Sequence, residues 1–250
     1  MDSEKTDLQD LQKEIGDLRN EVIELRKELA NNQKILLNTV KGFNGQHLQN
    51  YLVRLTGMQT AEFIVNNMNK TKVISDKRKY LQYVLSQIIP FGGGYLEFGV
   101  FKGTTINLIS AEKPDKIVYG FDSFEGLPET WRSGFDKTAF NMSNLPPVNK
   151  NVRLIKGWFN ETLPAFVKEH PEKCEFIHVD CDLYSSTKTI FSELRKNIVP
   201  GTVIAFDEYF NYPGWQEGEY KAFMEFVTEN HLEFEYIART EHEQVAVRII

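Results

Sequence analysis

The sequence has 250 residues, a formal net charge of −6 and a pI near 5.5. At 41% hydrophobic residues it can bury a core, and its acidic balance argues against a partner gripped through a broad basic surface, so nucleic acid is not expected. No apolar run of roughly 18 residues or more occurs, which predicts no membrane span. The start, MDSEKTDLQD, lacks the apolar core of a signal peptide, and Cys174 and Cys181 form no CxxC or Cys/His array. A reduced, cytoplasmic protein is the expectation.

In the first forty residues the apolar positions are Leu8, Leu11, Ile15, Leu18, Val22, Leu25, Leu29 and Leu36. Their spacings alternate three and four, with Asn32 in the remaining seam position, which is a heptad repeat. Leu8, Ile15, Val22, Leu29 and Leu36 fall on one seam position and Leu11, Leu18 and Leu25 on the other, a distribution that favours two parallel strands. Glu14 and Glu21 stand five residues before Arg19 and Arg26, the offset of inter-chain pairs in such a dimer. Residues 1–40 are therefore expected to form a coiled coil that assembles a homodimer or larger oligomer. The competing reading is one amphipathic helix packed on its own domain.

Residues 41–90 read as a helical lead-in. In SDKRKYLQYVLSQIIP, Ser75 or Asp76 can cap a helix that Pro90 stops, and all nine prolines lie from Pro90 onward. From residue 91 the pattern changes: YLEFGV, KIVYGFD, VRLIKG, FIHVD and TVIAFDE alternate with helical stretches, as in a parallel sheet covered on both faces. LEFEYIA and QVAVRII are separated only by RTEHE, too short for a crossover, so they should pair antiparallel. The expected fold is α/β and Rossmann-like. It is a mainly parallel seven-stranded sheet closed by a C-terminal antiparallel hairpin, over residues 91–250, in the class I methyltransferase variant of that topology.

YLEFGVFKGTT (95–105) ends a strand at Glu97 and continues through Gly99 and Gly103, which allow a tight turn and close ligand approach. Thr104 and Thr105 could cap the next helix. The spacing differs from the pyrophosphate pattern and suits S-adenosylmethionine, which carries no phosphate. Asp122 ends the next strand, 23 residues after Gly99, where a carboxylate can accept from both ribose hydroxyls.

In IHVDCDLYSST, His178, Asp180 and Asp182 alternate along one face at a strand's carboxyl end, and Asp207 and Glu208 end the next strand. Carboxylates so gathered repel unless a cation, a proton or hydrogen bonds compensate, and hard oxygen donors suit Mg²⁺. Two chemistries are open: a metal that acidifies a substrate hydroxyl, or a metal-free base drawn from His178 and the carboxylates. Asp182 has a plainer alternative as a helix cap. Tyr209, Tyr212 and Trp215, interleaved with Pro213 and Gly214, could form an aromatic lip for a substrate, or pack as an ordinary loop.

Four motifs in order, FDSFEGLPE (121–129), KGWFNETLP (156–164), VDCDLYSST (179–187) and FDEY (206–209), resemble the macrocin/mycinamicin O-methyltransferase (TylF-like) family. These are class I S-adenosylmethionine-dependent enzymes, many acting on sugar hydroxyls. The resemblance runs from about Phe91 to the C-terminus. It implies that Glu97 and Gly99 line the cofactor, that Asp122 takes its ribose with Ser123 beside it, and that Gly157 and Trp158 approach the adenine. It also implies Mg²⁺ among Asp180, Asp207 and Glu208, Glu208 standing where the family carries aspartate. Members with a histidine base hold it in the segment corresponding to Trp131–Lys150, which contains none here. The expected activity is O-methylation of a small molecule, a sugar or glycosylated metabolite. The opposing reading is a non-catalytic cofactor-binding or assembly protein organised by its coiled coil.

Overall fold

The computed structural model describes the backbone of residues 2–44, 48–132 and 134–250, and the side chains of residues 13, 15–35, 48–132 and 134–250. It divides into two compact units, Met1–Arg54 and Leu55–Ile250.

The first unit is dominated by α1 (Asp2–Asn44), 43 residues without a break and about 65 Å long at 1.5 Å per residue. Strong helix formers (Leu, Glu, Lys, Arg, Gln) carry it past Gly16, where glycine weakens a helix by about 1 kcal/mol. Five seam residues, Ile15, Leu18, Val22, Leu25 and Leu29, are exposed by 46–60%. Leu8, Leu11, Glu14 and Leu36 lie outside the residues whose side chains are described.

In the second unit, eight strands form one sheet in the order β1-β7-β8-β6-β5-β2-β3-β4. They are β1 (Lys72–Val73), β2 (Gly94–Phe98), β3 (Val118–Asp122), β4 (Val152–Lys156), β5 (Cys174–Val179), β6 (Val203–Phe206), β7 (Phe234–Arg239) and β8 (Val245–Ile249). The antiparallel pairs are β7–β8, as the short spacer required, and β6–β8; the other neighbours run parallel. Seven strands were expected. The eighth is β1, two exposed residues that pair with Ala238 and Arg239 and are too short to show any alternation.

Alternate residues of each strand feed opposite faces. Tyr95, Phe176 and Val203 pack with Tyr80, Leu81, Val84, Ile106 and Ile109 of α3 (Lys77–Ser86) and α4 (Thr104–Glu112). Leu96, Phe98 and Ile177 pack with Leu163, Phe191 and Phe223 of α5 (Phe159–Glu169), α6 (Tyr184–Glu193) and α7 (Glu219–Glu229). The expected cap forms at α3, where Asp76 Oδ1 accepts from the Lys79 amide at 2.7 Å. At α4 it does not: Gly103, at φ 78°, is the capping residue, and Thr104 already lies inside the helix. The chain runs outward from β2 through β3 to β4, then returns to β5 on the other side of β2. That reversal opens a crevice at the carboxyl ends of β2 and β5, where sheets of this type bind ligands.

Candidate active site

The crevice is a cavity of about 1180 Å³. Gly99, at φ +90°, turns the chain directly after β2, and a Cβ there would lie 1.6 Å from the Asp180 carbonyl oxygen. Only glycine allows this approach. The Gly99 amide donates to Phe121 O at 2.9 Å and the Asp180 amide to Phe98 O at 2.8 Å, so the ends of β3, β2 and β5 are laced together.

Asp122 organises the loop that follows. Its Oδ2 accepts from the amides of Val100 and Phe101 at 2.9 and 2.8 Å, and its Oδ1 from Phe124 at 2.7 Å. It still lines the cavity, as do Gly99, Thr104, Ser123 and Trp158. Ser123 is buried and its hydroxyl donates to Gly126 O at 3.1 Å. Gly157 sits behind Trp158, its amide donating to Asp122 O at 3.0 Å, and Gly103 turns the loop by donating to Val100 O at 2.8 Å. Neither of these two glycines is among the cavity-lining residues. A turn of amides, a strand-end carboxylate and an aromatic wall of Phe101, Phe140, Trp158 and Phe159 make a cradle that fits a nucleoside.

Glu97, expected to line the cofactor, is instead fully buried beneath the cavity, where its Oε1 meets His178 Nδ1 at 2.9 Å. Burial drives both groups toward neutrality, pushing Glu97 well above the carboxylate range and His178 down to about 4. Asp180 and Asp182 line the cavity. Burial, then the charge of Asp207, raises Asp180 far above its ordinary value. Burial lifts Asp182 to about 7 against the pull of Arg132. The helix-cap alternative for Asp182 fails, because Leu183 precedes α6 and no side chain caps that helix.

Among the described residues, His178, Asp180 and Asp207 each offer a ligand atom within 4.8 Å of the others. Asp207 Oδ1 and Glu208 Oε2 are buried without a hydrogen-bond partner among the described residues. Unpartnered carboxylate oxygens of this kind fit a hard divalent cation. Glu208, expected in the metal set, lies outside that group, and His178 takes its place. The strand ends at Phe206, and Asp207 and Glu208 lie in the bend that follows it. Glu208 is held by burial, then by Asp207, well above its usual pKa.

Lys77 and Glu219 carry no motif signal, yet both shape the centre. Lys77 Nζ donates to Asp207 Oδ2 at 2.7 Å. Burial acts to lower its pKa, but the charges of Asp207 and Asp180 outweigh it, so the group is a cation. Glu219, fully buried at the start of α7, accepts from the amides of Cys181 and Glu208 at 3.4 and 3.3 Å and bridges the two acidic strand ends.

The aromatic lip is a correction. Tyr209, Tyr212 and Trp215 are 0%, 5% and 3% exposed, and none lines the cavity. Tyr209 shares a hydrogen bond of 2.9 Å with Tyr236, and Trp215 packs edge-on against Phe63 and Tyr220. Large rings gain more from such a cluster than from solvent exposure.

The family model described as macrocin-O-methyltransferase (TylF) matches residues 23–238. A demethyldecarbamoylnovobiocin O-methyltransferase of Streptomyces niveus is 24% identical over 177 residues, 60% of this chain and 66% of its own length. An 8-demethyl-8-(2,3-dimethoxy-alpha-L-rhamnosyl)-tetracenomycin-C 4'-O-methyltransferase of Streptomyces olivaceus is 25% identical over 155 residues, 52% of this chain and 58% of its own. The chain thus spans 58–66% of the length of these curated relatives. Among solved structures, a calicheamicin methyltransferase is similar with a TM-score of 0.55 at 25% identity, covering 68% of this chain and 75% of that one. The O-methyltransferase NovP gives 0.51 at 22%, covering 68% and 76%. The shared architecture is the class I methyltransferase fold.

Proposed function

The chain belongs to the macrocin O-methyltransferase (TylF) family, and from that premise we propose that it is an S-adenosylmethionine-dependent O-methyltransferase, assisted by Mg²⁺, whose acceptor is a hydroxyl of a sugar or glycosylated small molecule. The observation that carries this reading is that Asp122 of the nucleoside cradle and Asp180 line one cavity, while Asp180 lies within 4.8 Å of Asp207, whose Oδ1 is buried with no hydrogen-bond partner among the described residues. When bound, S-adenosylmethionine supplies a methyl group on a sulfonium, open to in-line attack by a substrate oxygen. Mg²⁺, when bound, supplies Lewis acidity that eases loss of the hydroxyl proton.

The chain's own residues do the rest. Asp122 fixes the amides of Val100 and Phe101 at the cavity wall and would offer its one remaining lone-pair site to the ribose. Ser123 and Trp158 stand beside it in the wall. Asp180 and Asp207 would hold the ion, with His178 the nearest third donor. Asp182, its carboxyl near 7, accepts the hydroxyl proton; a base with a pKa close to working pH is both free and effective. Glu97 positions His178 from below. Phe101 and Phe140, edge to face at 5.4 Å, shield the reacting atoms from water. The exposed seam of α1 supports assembly of two copies through that helix.

Calorimetry with S-adenosylhomocysteine tests the cofactor, and methyl transfer to glycosylated acceptors tests the reaction. Asp180→Asn should abolish turnover and leave cofactor binding largely intact, and EDTA should inhibit with Mg²⁺ restoring activity. A protein with no affinity for S-adenosylmethionine or S-adenosylhomocysteine would overturn the reading.

A further inference from the structure

Lys77 has no part in the chemistry above, yet it reaches the centre across 130 residues of sequence. It is the first residue of α3, one of the lining residues of the cavity, and its Nζ rests 2.7 Å from Asp207 Oδ2. Asp207 is 7% exposed at its side chain, whereas that of Lys77 is 51% exposed. The ammonium of a half-exposed side chain thus meets a buried carboxylate.

Five carboxyl groups crowd these strand ends: Asp180, Asp182, Asp207, Glu208 and Glu219. Four are buried and Asp180 is half-buried. Among the described residues Lys77 is the one cation in ion-pair contact with any of them, because Arg132 pairs with Glu243 instead. Arg132 adds only a longer-range pull on Asp182. The division within Asp207 is also informative. Lys77 takes Oδ2, and Oδ1 is left buried with no partner among the described residues. The lysine therefore flanks the group of His178, Asp180 and Asp207 without filling it.

We propose that Lys77 is a tethered counter-cation of this centre: it supplies positive charge to Asp207 when no divalent ion is present, and it opposes the ion's entry when one binds. The proposal rests on the reading that Asp180 and Asp207 hold a divalent cation. It makes Lys77 a positioning residue that acts through Asp207. A lysine suits this role because its charge is compact and its stem is flexible. Half exposed, it can withdraw into water as the ion arrives. Loading then becomes an exchange of one cation for another.

The test uses the full chain stripped with EDTA, with Lys77→Met and Lys77→Arg beside the unaltered protein. Free Mn²⁺ is followed by electron paramagnetic resonance, and thermal melts are recorded with and without Mg²⁺. Removing one unit charge beside the ion should tighten Mn²⁺ binding by about tenfold in Lys77→Met, while Lys77→Arg stays within about twofold of the unaltered protein. Mg²⁺ should raise the melting temperature of Lys77→Met by more than it raises that of the unaltered protein, since two cations serving one purpose are not additive. A residue that merely supports the fold would lower both melting curves and leave this difference at zero.

Equal or weaker Mn²⁺ binding in Lys77→Met overturns the proposal, as does an absence of Mn²⁺ binding in every protein. S-Adenosylhomocysteine calorimetry on the same samples separates the two failures. Intact nucleoside binding with unchanged Mn²⁺ affinity removes only the role of Lys77. Loss of nucleoside binding in the unaltered protein removes the function on which it rests. Should Lys77→Met fail to fold, Lys77→Gln carries the same comparison.

Discussion

Replacing Asp122 with alanine strips the acceptor from three backbone amides at once: Val100 and Phe101 on one carboxylate oxygen, Phe124 on the other. Hydrogen bonds to a charged partner contribute about 1.5–3 kcal/mol each. Asp122 is half-buried on the cavity wall, so water can reach part of what the carboxylate leaves. Taking the lower figure and allowing one of the three amides to be rehydrated gives a loss of about 3 kcal/mol. Against a typical stability of about 5–15 kcal/mol the variant still folds, with a melting temperature lowered by roughly 6–12 °C. Two of the affected amides belong to the turn at Gly99 and the third to the loop after β3, so the cradle loosens and S-adenosylhomocysteine binding should fall together with stability. Asn, which keeps one acceptor oxygen, should lie between Asp and Ala. Urea denaturation followed by circular dichroism, paired with calorimetry, measures both quantities. A variant within about 1 kcal/mol of the parent, or one that binds the nucleoside normally, would refute the assignment of Asp122 as organiser of the loop.

Gly99→Ala should be more damaging, because its Cβ would meet the Asp180 carbonyl oxygen at 1.6 Å in a backbone conformation that alanine rarely adopts; soluble expression with normal melting would contradict that contact. If Asp182 is the base, its deprotonated fraction falls from about nine-tenths at pH 8 to about one-tenth at pH 6, so kcat/KM should drop roughly tenfold as pH falls across that interval. Asp182→Asn should flatten the profile and lower the rate, and an unchanged profile assigns the proton elsewhere. Deleting residues 1–40 should reduce the mass found by light scattering, and an unaltered mass would place assembly outside α1.

The sheet was legible because its strands are short apolar runs bounded by Gly, Pro and Asp. YLEFGV, FIHVD and TVIAFDE became β2, β5 and β6, and the five-residue spacer RTEHE forced the antiparallel end. Alternation along β5 placed His178 and Asp180 on one face, and the reversal of strand order brought Asp207 to them. Features set by distant partners were not legible. Tyr209 and Trp215 are drawn inward by Phe63 of α2 (Leu48–Asn67) and by Tyr236 of β7, which no local pattern announces. Lys77 reads as an ordinary basic residue in a helical first turn, a place where the helix dipole disfavours cations, until the fold delivers Asp207 to it. The family resemblance implied that Glu97 lines the cofactor, but its neighbour across the sheet, His178, claims it instead.

The smallest strand has a large bearing on how the molecule behaves in a crowd. A sheet edge offers unpaired amides and carbonyls to any extended chain that drifts past, and long bare edges template fibres and aggregates. Here β1 closes the β7 side with two exposed residues, one of them a lysine whose charge discourages another strand from adding. A chain started at the change of pattern near Pro90 would keep every motif and lose this guard. Such a truncation would leave the edge of β7 open to pairing with another strand.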